Sequence, residues 1–293
     1  MNRKYLILPI LIIAFVSLAC SVTLNLPDFQ SKTGPTVTDT INVPLPENSQ
    51  SVVDITVNFG VGDLSIEPGA TSELINGTAR YNVSDLKPTV SVNGDNITIE
   101  QGNLHITGIP FINSKVINDW NLSLANSPMN LFIKAGAYTG NYELGGLSIH
   151  WLEVTEGASK VNLNFSEANQ VEMTMFKYMT GASDVSLTGL GNANADNISF
   201  NGGAGNYTLD FSGELSRDLT VSIDAGVSSV TVIVPTGVPA ELSTNSALIT
   251  VNTSGGWQQS GNTYQLSGSG HRITVVAKMG AGSLQLQTVS PGK

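Results

Sequence analysis

The chain of 293 residues has one cysteine and three histidines, and only 12% of it is charged, against roughly 25% in ordinary globular domains. One Cys cannot pair within the chain, so a disulfide scaffold is excluded. Bases are scarce, 13 against 23 acids with a net charge of −10. That balance excludes the usual nucleic-acid binder, which needs a basic face to neutralise phosphates. Only one apolar run, near the N-terminus, approaches membrane-spanning length, and it falls short of a permanent span, so a multi-span helical membrane protein is excluded too. No HExxH, CxxC or EF-hand loop is present. His105, His150 and His271 lie far apart, none in a GxSxG-type context.

What is present begins with an export signal. Arg3 and Lys4 form a positive start, Tyr5 to Leu18 an apolar core, and small residues lead into Cys20. Ser17-Leu18-Ala19-Cys20 resembles the bacterial lipobox, in which a lipid is attached to the Cys thiol and the chain is cut just before it; Ser17 stands where Leu is usual. Residues 1–19 are therefore expected to be a lipoprotein signal peptide and Cys20 the lipidation site. Acyl chains give an anchored rather than a spanning protein. Cleavage removes Arg3 and Lys4 and no acid, so the acidic body would stand off an anionic lipid surface.

Residues 20–48 carry Pro27, Pro35, Pro44 and Pro46 with many Ser and Thr. They read as an extended tether that gains a strand near Thr38–Val43. From Val52 onward apolar and polar residues alternate, as in Ile55-Thr56-Val57 and Ile97-Thr98-Ile99, the mark of half-buried strands. No amphipathic helix is expected after residue 50.

The alternation is organised by a repeat. Gly60, Gly136, Gly157, Gly181, Gly203, Gly226 and Gly280 are each followed by Ala or Val. Apolar pairs stand five and three places before these anchors, such as Ile198/Phe200, and four and six places after them, such as Tyr207/Leu209. The Gly136 copy reads as slipped by two, with Tyr142/Leu144 as its second pair. Between Gly136 and Gly226 the anchors are 21, 24, 22 and 23 residues apart. The unit is strand, small-residue corner, strand, about one coil of a solenoid. One such coil cannot bury its apolar residues alone, and stacking at roughly 4.8 Å hides them in a continuous column. The expected fold is all-β: a β-solenoid or β-helix-like stack of coils of 21–24 residues with the seven glycines at its corners. Residues 49–130 read as an N-terminal β region able to cap one end, and 131–289 as the regular stack. Ile109–Trp120 reads as a long loop. The far end is expected to be closed by Trp257, Tyr264 and the strands Ile273–Val276 and Ser283–Leu286.

The stretches Gly69–Asn82, Glu143–Ile149, Gly189–Ala193, Gly202–Gly213 and Met279–Gly282 resemble the toast-rack family. The chain is also similar to the C-terminal domains of LiaF-type cell-wall-antibiotic-response proteins and to adhesin head domains. The resemblance covers roughly residues 50–288, with residues 49–130 toast-rack N-terminal-like. It implies a β-solenoid-like fold on an envelope protein and brings no catalytic set. LiaF-type proteins carry transmembrane helices where this chain has a lipobox.

Candidate chemistry is sparse. Glu172, Asp196, Asp218 and Glu241 lie fifteen places after successive anchors. Stacked in register they would repel, and solvent, Arg217 or a cation such as Ca²⁺ would have to hold them; they are weak metal candidates, and no cofactor is expected. In Gly202–Leu209 a calcium-binding nonapeptide is imitated, but Tyr207 stands in place of its Asp. The sequons at Asn76, Asn164 and Asn206 read as polar strand edges and turns. Trp120, Trp151 and Trp257 are either recognition aromatics or core and cap packing.

The expected function is a non-enzymatic binding, adhesion or structural role, on a lipid-anchored protein exported to the bacterial cell envelope. Its partners would be the membrane, through the lipid, and an envelope protein or glycan. Two alternatives are an envelope-stress sensor of LiaF type and a polysaccharide-active β-helix enzyme, which would need clustered carboxylates in a groove.

Overall fold

The computed structural model describes residues 33–102 and 116–290. The expectations for the signal peptide, Cys20 and His105 lie outside the described residues. The described chain is strand after strand, with two single turns of 3₁₀ helix. The N-terminal strands are β1 (Val37–Pro44), β2 (Val53–Pro68), β3 (Glu73–Tyr81), β4 (Pro88–Asn93), β5 (Asn96–Gln101) and β6 (Asn118–Leu124). The middle holds β7 (Met129–Glu143), β8 (Ile149–Asn164), β9 (Met175–Thr188), β10 (Asn197–Asp210) and β11 (Leu219–Pro235). The last are β12 (Ala240–Thr244), β13 (Ile249–Thr253), β14 (Gln258–Ser260), β15 (Thr263–Leu266) and β16 (Ile273–Val289).

Seven strands are long, 14 to 17 residues, and stack in parallel in the order β2, β7, β8, β9, β10, β11, β16. Each carries one anchor glycine near its middle, which divides it into a first and a second arm. The register runs through the corner unchanged: Ile198 pairs with Phe176 and Val221, and Leu209 with Leu187 and Val232. Phe200, Tyr207, Val185 and Val230 are fully buried with their counterparts in neighbouring coils. Each such burial is worth roughly 1.5–3 kcal/mol against the entropy of ordering the chain.

Inward positions fall three places before and four places after each anchor, an odd separation. The strict alternation of a strand must therefore gain one residue at the corner, as a bulge does. The corner is crowded because backbone lies on backbone. A methyl group at Gly136 would lie 2.4 Å from the Gly60 carbonyl oxygen, and at Gly203 2.4 Å from that of Gly181. Gly157, Gly181, Gly226 and Gly280 face the preceding anchor in the same way, so all seven form a single file. Two places on, Gly205 has φ +151°, and a Cβ there would meet the Ser183 oxygen at 1.8 Å; only glycine fits.

The third side of the coil is irregular and held by amides. Buried Asn169 takes the Ile149 N–H and donates to the Ile149 and Val171 carbonyls. Asn194, at φ 52°, donates to the Val171 carbonyl one coil away. Leu147, Phe165, Met173, Leu190 and Phe211 close the core on this side.

The Gly136 coil is not slipped. Tyr142 pairs with Leu163 and Gly140 with Val161, so the second pair of this coil is Gly140/Tyr142. The glycine is needed because the Tyr138 and Tyr142 rings fold over it, 2.8 and 3.0 Å from where its Cβ would be.

Both ends are built alike. Outside β2, β5 pairs with the first arm and β6 with the second, then β4 on β5 and β3 with β1 on β6. Outside β16, β12 pairs with the first arm and β13 with the second, and β15 and β14 complete the edge. Thus Ile273–Val276 and Ser283–Leu286 do not close the far end. They are the two arms of a complete coil, lodged between β11 and the cap strands, because Gly280 continues the corner file over Gly226. Trp257 and Tyr264 do lie in the cap, 9% and 6% exposed. At the other end Asn118–Trp120 is strand rather than loop, and residues 103–115 lie outside the described part.

Side chains replace the missing next coil at each terminal corner. Gln101 Oε1 accepts from the N–H groups of Gly60 and Val61 at 3.0 and 3.3 Å, and Asn118 Nδ2 donates to the Val61 carbonyl at 2.5 Å. At the other end Ser246 Oγ accepts from the Met279 N–H at 2.7 Å. Each bond covers a backbone group that burial would otherwise leave unpaired.

Candidate functional site

The inward position just before each anchor is apolar or small in most coils, but in β8 it is Glu156, 7% exposed. Its carboxylate accepts from the Tyr138 hydroxyl at 2.6 Å and from Ser159 Oγ at 2.5 Å. The Tyr142 hydroxyl donates to that of Tyr138 at 2.9 Å. Ser183 Oγ lies 2.9 Å from Ser159 Oγ and accepts from Thr180. The Tyr178 and Tyr207 hydroxyls are buried without a hydrogen-bond partner among the described residues.

Burial holds the phenols of Tyr138, Tyr142 and Tyr178 well above the usual tyrosine range, and the Glu156 charge adds to each shift. Groups so placed keep their protons and are poor bases, and Tyr138 and Tyr142 donate theirs as hydrogen bonds. A depression of about 620 Å³ opens at this corner, lined by Glu156, Lys177, Met179, Thr180, Asn201 and Asp224 around Gly181 and Gly202. Chemically it is a place for hydrogen bonding through hydroxyl, amide and carboxylate groups.

The acids singled out from the sequence come together as two bridged sets. Arg217 Nη1 lies 2.8 Å from Glu172 and 3.0 Å from Asp196, and its Nε donates to Asn194. Hydrogen bonds to Glu172 and then Asp196 raise the Arg217 pKa. Asp218 accepts the Arg272 N–H at 2.9 Å, which holds its carboxyl below the usual range, and lies 3.5 Å from His271. Glu241 faces Arg272 at 4.0 Å and accepts from Gln265. Among the described residues no three His, Cys, Asp or Glu side chains are grouped closely enough to hold a metal ion. His150 sits near the start of β8, and no interaction joins it to His271 among the described residues.

The three tryptophans separate. Trp120 is 1% exposed, donates to Asn118 at 3.1 Å and meets Phe59 edge-on at 5.2 Å. Trp257 is cap packing. Trp151 is half-buried on the outer face of the first arm, in register with Met175 and diagonal to half-buried Phe132. That face also carries the Glu153–Lys177 ion pair at 3.6 Å.

The outer face of the second arm is different. Five places after its anchor, every coil from Ser65 to Gln285 presents Ser, Thr, Asn or Gln. Sequence reasoning passed over both this row and Glu156, although the repeat places each of them: one falls between the inward pairs, the other continues them.

Among the described residues no helix is long and apolar enough to cross a membrane. The family model described as the N-terminal domain of toast_rack, DUF2154, matches residues 32–176 and again 168–233, well over half the chain. No curated protein matches. Among solved structures the chain is similar to a candidate cell adhesion protein from Clostridium sporogenes, at 19% identity and a TM-score of 0.47, over 87% of this chain and 100% of that one. A candidate adhesin from Parabacteroides merdae matches at 10% identity and a TM-score of 0.42, over 87% and 97%. A candidate lipid-binding protein from Parabacteroides distasonis matches at 10% and 0.30, over 87% and 97%.

Proposed function

We propose that this chain, which belongs to the toast_rack N-terminal-domain family DUF2154, is a non-enzymatic binding or adhesion protein of the bacterial cell envelope. Cys20 carries the lipid, the residues after it act as a tether, and the stack of coils is the part presented to partners. The observation that carries this reading is the register. Seven coils repeat the same outward positions at strand spacing, so each outer face is one continuous patterned surface. Such a face suits many weak contacts with an extended partner. The acid-rich composition supports a body that stands away from anionic lipid.

Two measurements test it. Cells expressing the chain and fed alkyne-palmitate should label the protein, and Cys20→Ala should abolish the label and release the protein from the membrane fraction. The purified full chain should be enriched on intact bacterial envelopes in a pull-down. An unlabelled wild type overturns the anchor, and absence of enrichment overturns the binding role.

A further inference from the structure

The second-arm outer face carries a row that nothing in the fold requires. Asn141, Asn162, Ser186, Thr208, Thr231 and Gln285 pair across β7, β8, β9, β10, β11 and β16. Ser65 of β2 extends the row at one end and Asn252 of β13 at the other. All are exposed or half-buried. From β2 to β16 the row spans roughly 30 Å at the spacing of neighbouring strands.

Two properties distinguish it. No member is charged, in a chain of net charge −10, whereas the corresponding row on the first arm includes Phe132, Glu153, Lys177 and Val276. The hydrogen-bonding capacity of the row is also nearly unspent. Asn162 donates to Asn141 at 3.3 Å, and among the described residues the side chains of Ser65, Ser186, Thr208, Thr231, Gln285 and Asn252 make no hydrogen bond. Hydroxyls and amides both donate and accept, as do the hydroxyls of a sugar.

Resting on the binding role above, we propose that this row is the docking surface for a neutral, extended polysaccharide lying along the stack axis, each coil contacting about one sugar unit. Charge selects the class of occupant. An anionic polymer is repelled by the acidic body, and a cationic one would be drawn to Asp63, Asp184 and Asp210, two places from the row on the same strands, rather than to the row itself. A neutral polyhydroxylated chain meets the row without desolvating an ion. A sugar unit advances along such a polymer by about one strand spacing, so contacts recur in step and individually weak hydrogen bonds add through multivalency.

The test is co-sedimentation of the purified full chain with insoluble β-1,4-glucan and with chitin, and with a carboxylated polysaccharide gel as the charged comparison. Retention is expected on at least one neutral glycan and not on the carboxylated gel. The double variant Thr208→Asp/Thr231→Asp should lose about tenfold in affinity. Ser199→Asp/Ser222→Asp, on the outer face of the first arm, should stay within about twofold, with both variants checked for native circular dichroism and melting. Equal losses from the two pairs, or no retention of the wild type on either neutral glycan, overturn the proposal. So does retention on growing ice without retention on glycan, since the row would then order water rather than sugar. Enrichment on envelopes without glycan retention refutes the row alone, whereas loss of both refutes the binding role as well.

Discussion

In β9 and β10 the first arm turns in Phe176, Tyr178 and Phe200, where the second arm turns in Val185, Leu187 and Leu209 with Tyr207 as its one ring. Outward the order reverses in character. The first arm shows an aromatic and sulfur-bearing patch with an ion pair, the second a neutral polar row. Both arms obey one register and pass through one glycine, so the difference comes from volume. Where rings do enter the second arm, a neighbouring inward position is empty: Tyr207 packs where a Cβ on Gly202 would lie 2.5 Å from its ring, and Tyr138 and Tyr142 pack over Gly140. The corner thus acts on both sides of the chain, since removing side chains at the bend makes room for rings beside it. Close packing then demands that the rings be there.

Breaking the hinge that the arms share should have the largest effect. In Gly203→Ala the new methyl group would sit 2.4 Å from the Gly181 carbonyl oxygen, which is backbone and cannot rotate away. A loss on the order of 4 kcal/mol is expected, at the severe end for a single substitution, measured as the shift in the urea unfolding midpoint. A loss below about 1 kcal/mol would mean that the file of glycines tolerates a side chain and does not set the corner.

The next effect separates the arms within a single strand. Phe200 stacks on Tyr178 at 5.6 Å and meets Tyr207 at 4.9 Å, whereas Leu209 lies among aliphatic neighbours. Phe200→Ala should cost about 4 kcal/mol and Leu209→Ala about 3 kcal/mol, within the ranges for such truncations. The larger cavity should also loosen the Glu156 corner, visible as faster hydrogen exchange in β8 and β9. Equal costs with no change in exchange would show that the aromatic arm has no packing role of its own.

The arms and their inward pairs are legible in the sequence because alternation and the corner glycines repeat many times. The order in which coils stack is less legible. Parallel stacking depends on matching surfaces rather than on chain order, so β2 rests on β7 across a long insertion and β16 inserts between β11 and the short β12 and β13. One signal was available: residues 240–266 contain no anchor that a complete coil requires, while Gly280 is one. By apolarity alone the Gly136 copy looks slipped, because Gly140, with no side chain, does not register as inward. Glu156 was hidden for the opposite reason. A carboxylate in an inward column contradicts the pattern, and only the surrounding phenols and hydroxyls explain how burial is tolerated. The two bridged acid sets depend on Arg217 and Arg272 reaching between coils, which needs coordinates.

The smallest of these effects tests whether that corner is held by protons. Tyr138, Tyr142 and Tyr178 have phenols pushed up by burial and by Glu156, and Tyr81, whose hydroxyl donates to the Asp39 carboxylate at 2.8 Å, is pushed up to about 12 by burial and that hydrogen bond. In the unfolded chain each titrates near 10.0, as a free phenol does. A phenol whose folded pKa lies above its unfolded one binds its proton more tightly when folded. Its contribution is complete below pH 10 and is lost as pH rises beyond it. Urea midpoints followed between about pH 9 and 12 should therefore fall, while the absorbance change of phenolate formation lags behind that of free tyrosine until unfolding. Glu156→Gln keeps an oxygen to accept from Tyr138 and removes a charge, but burial, the largest cause of each shift, remains, so its midpoint should fall with pH as steeply as that of the wild type. Leu209→Ala, on the aliphatic arm, should lower the whole curve without changing its slope. A shallower decline in Glu156→Gln than in Leu209→Ala and the wild type would mean that the carboxylate charge, rather than burial, is what keeps the phenols protonated in the folded chain.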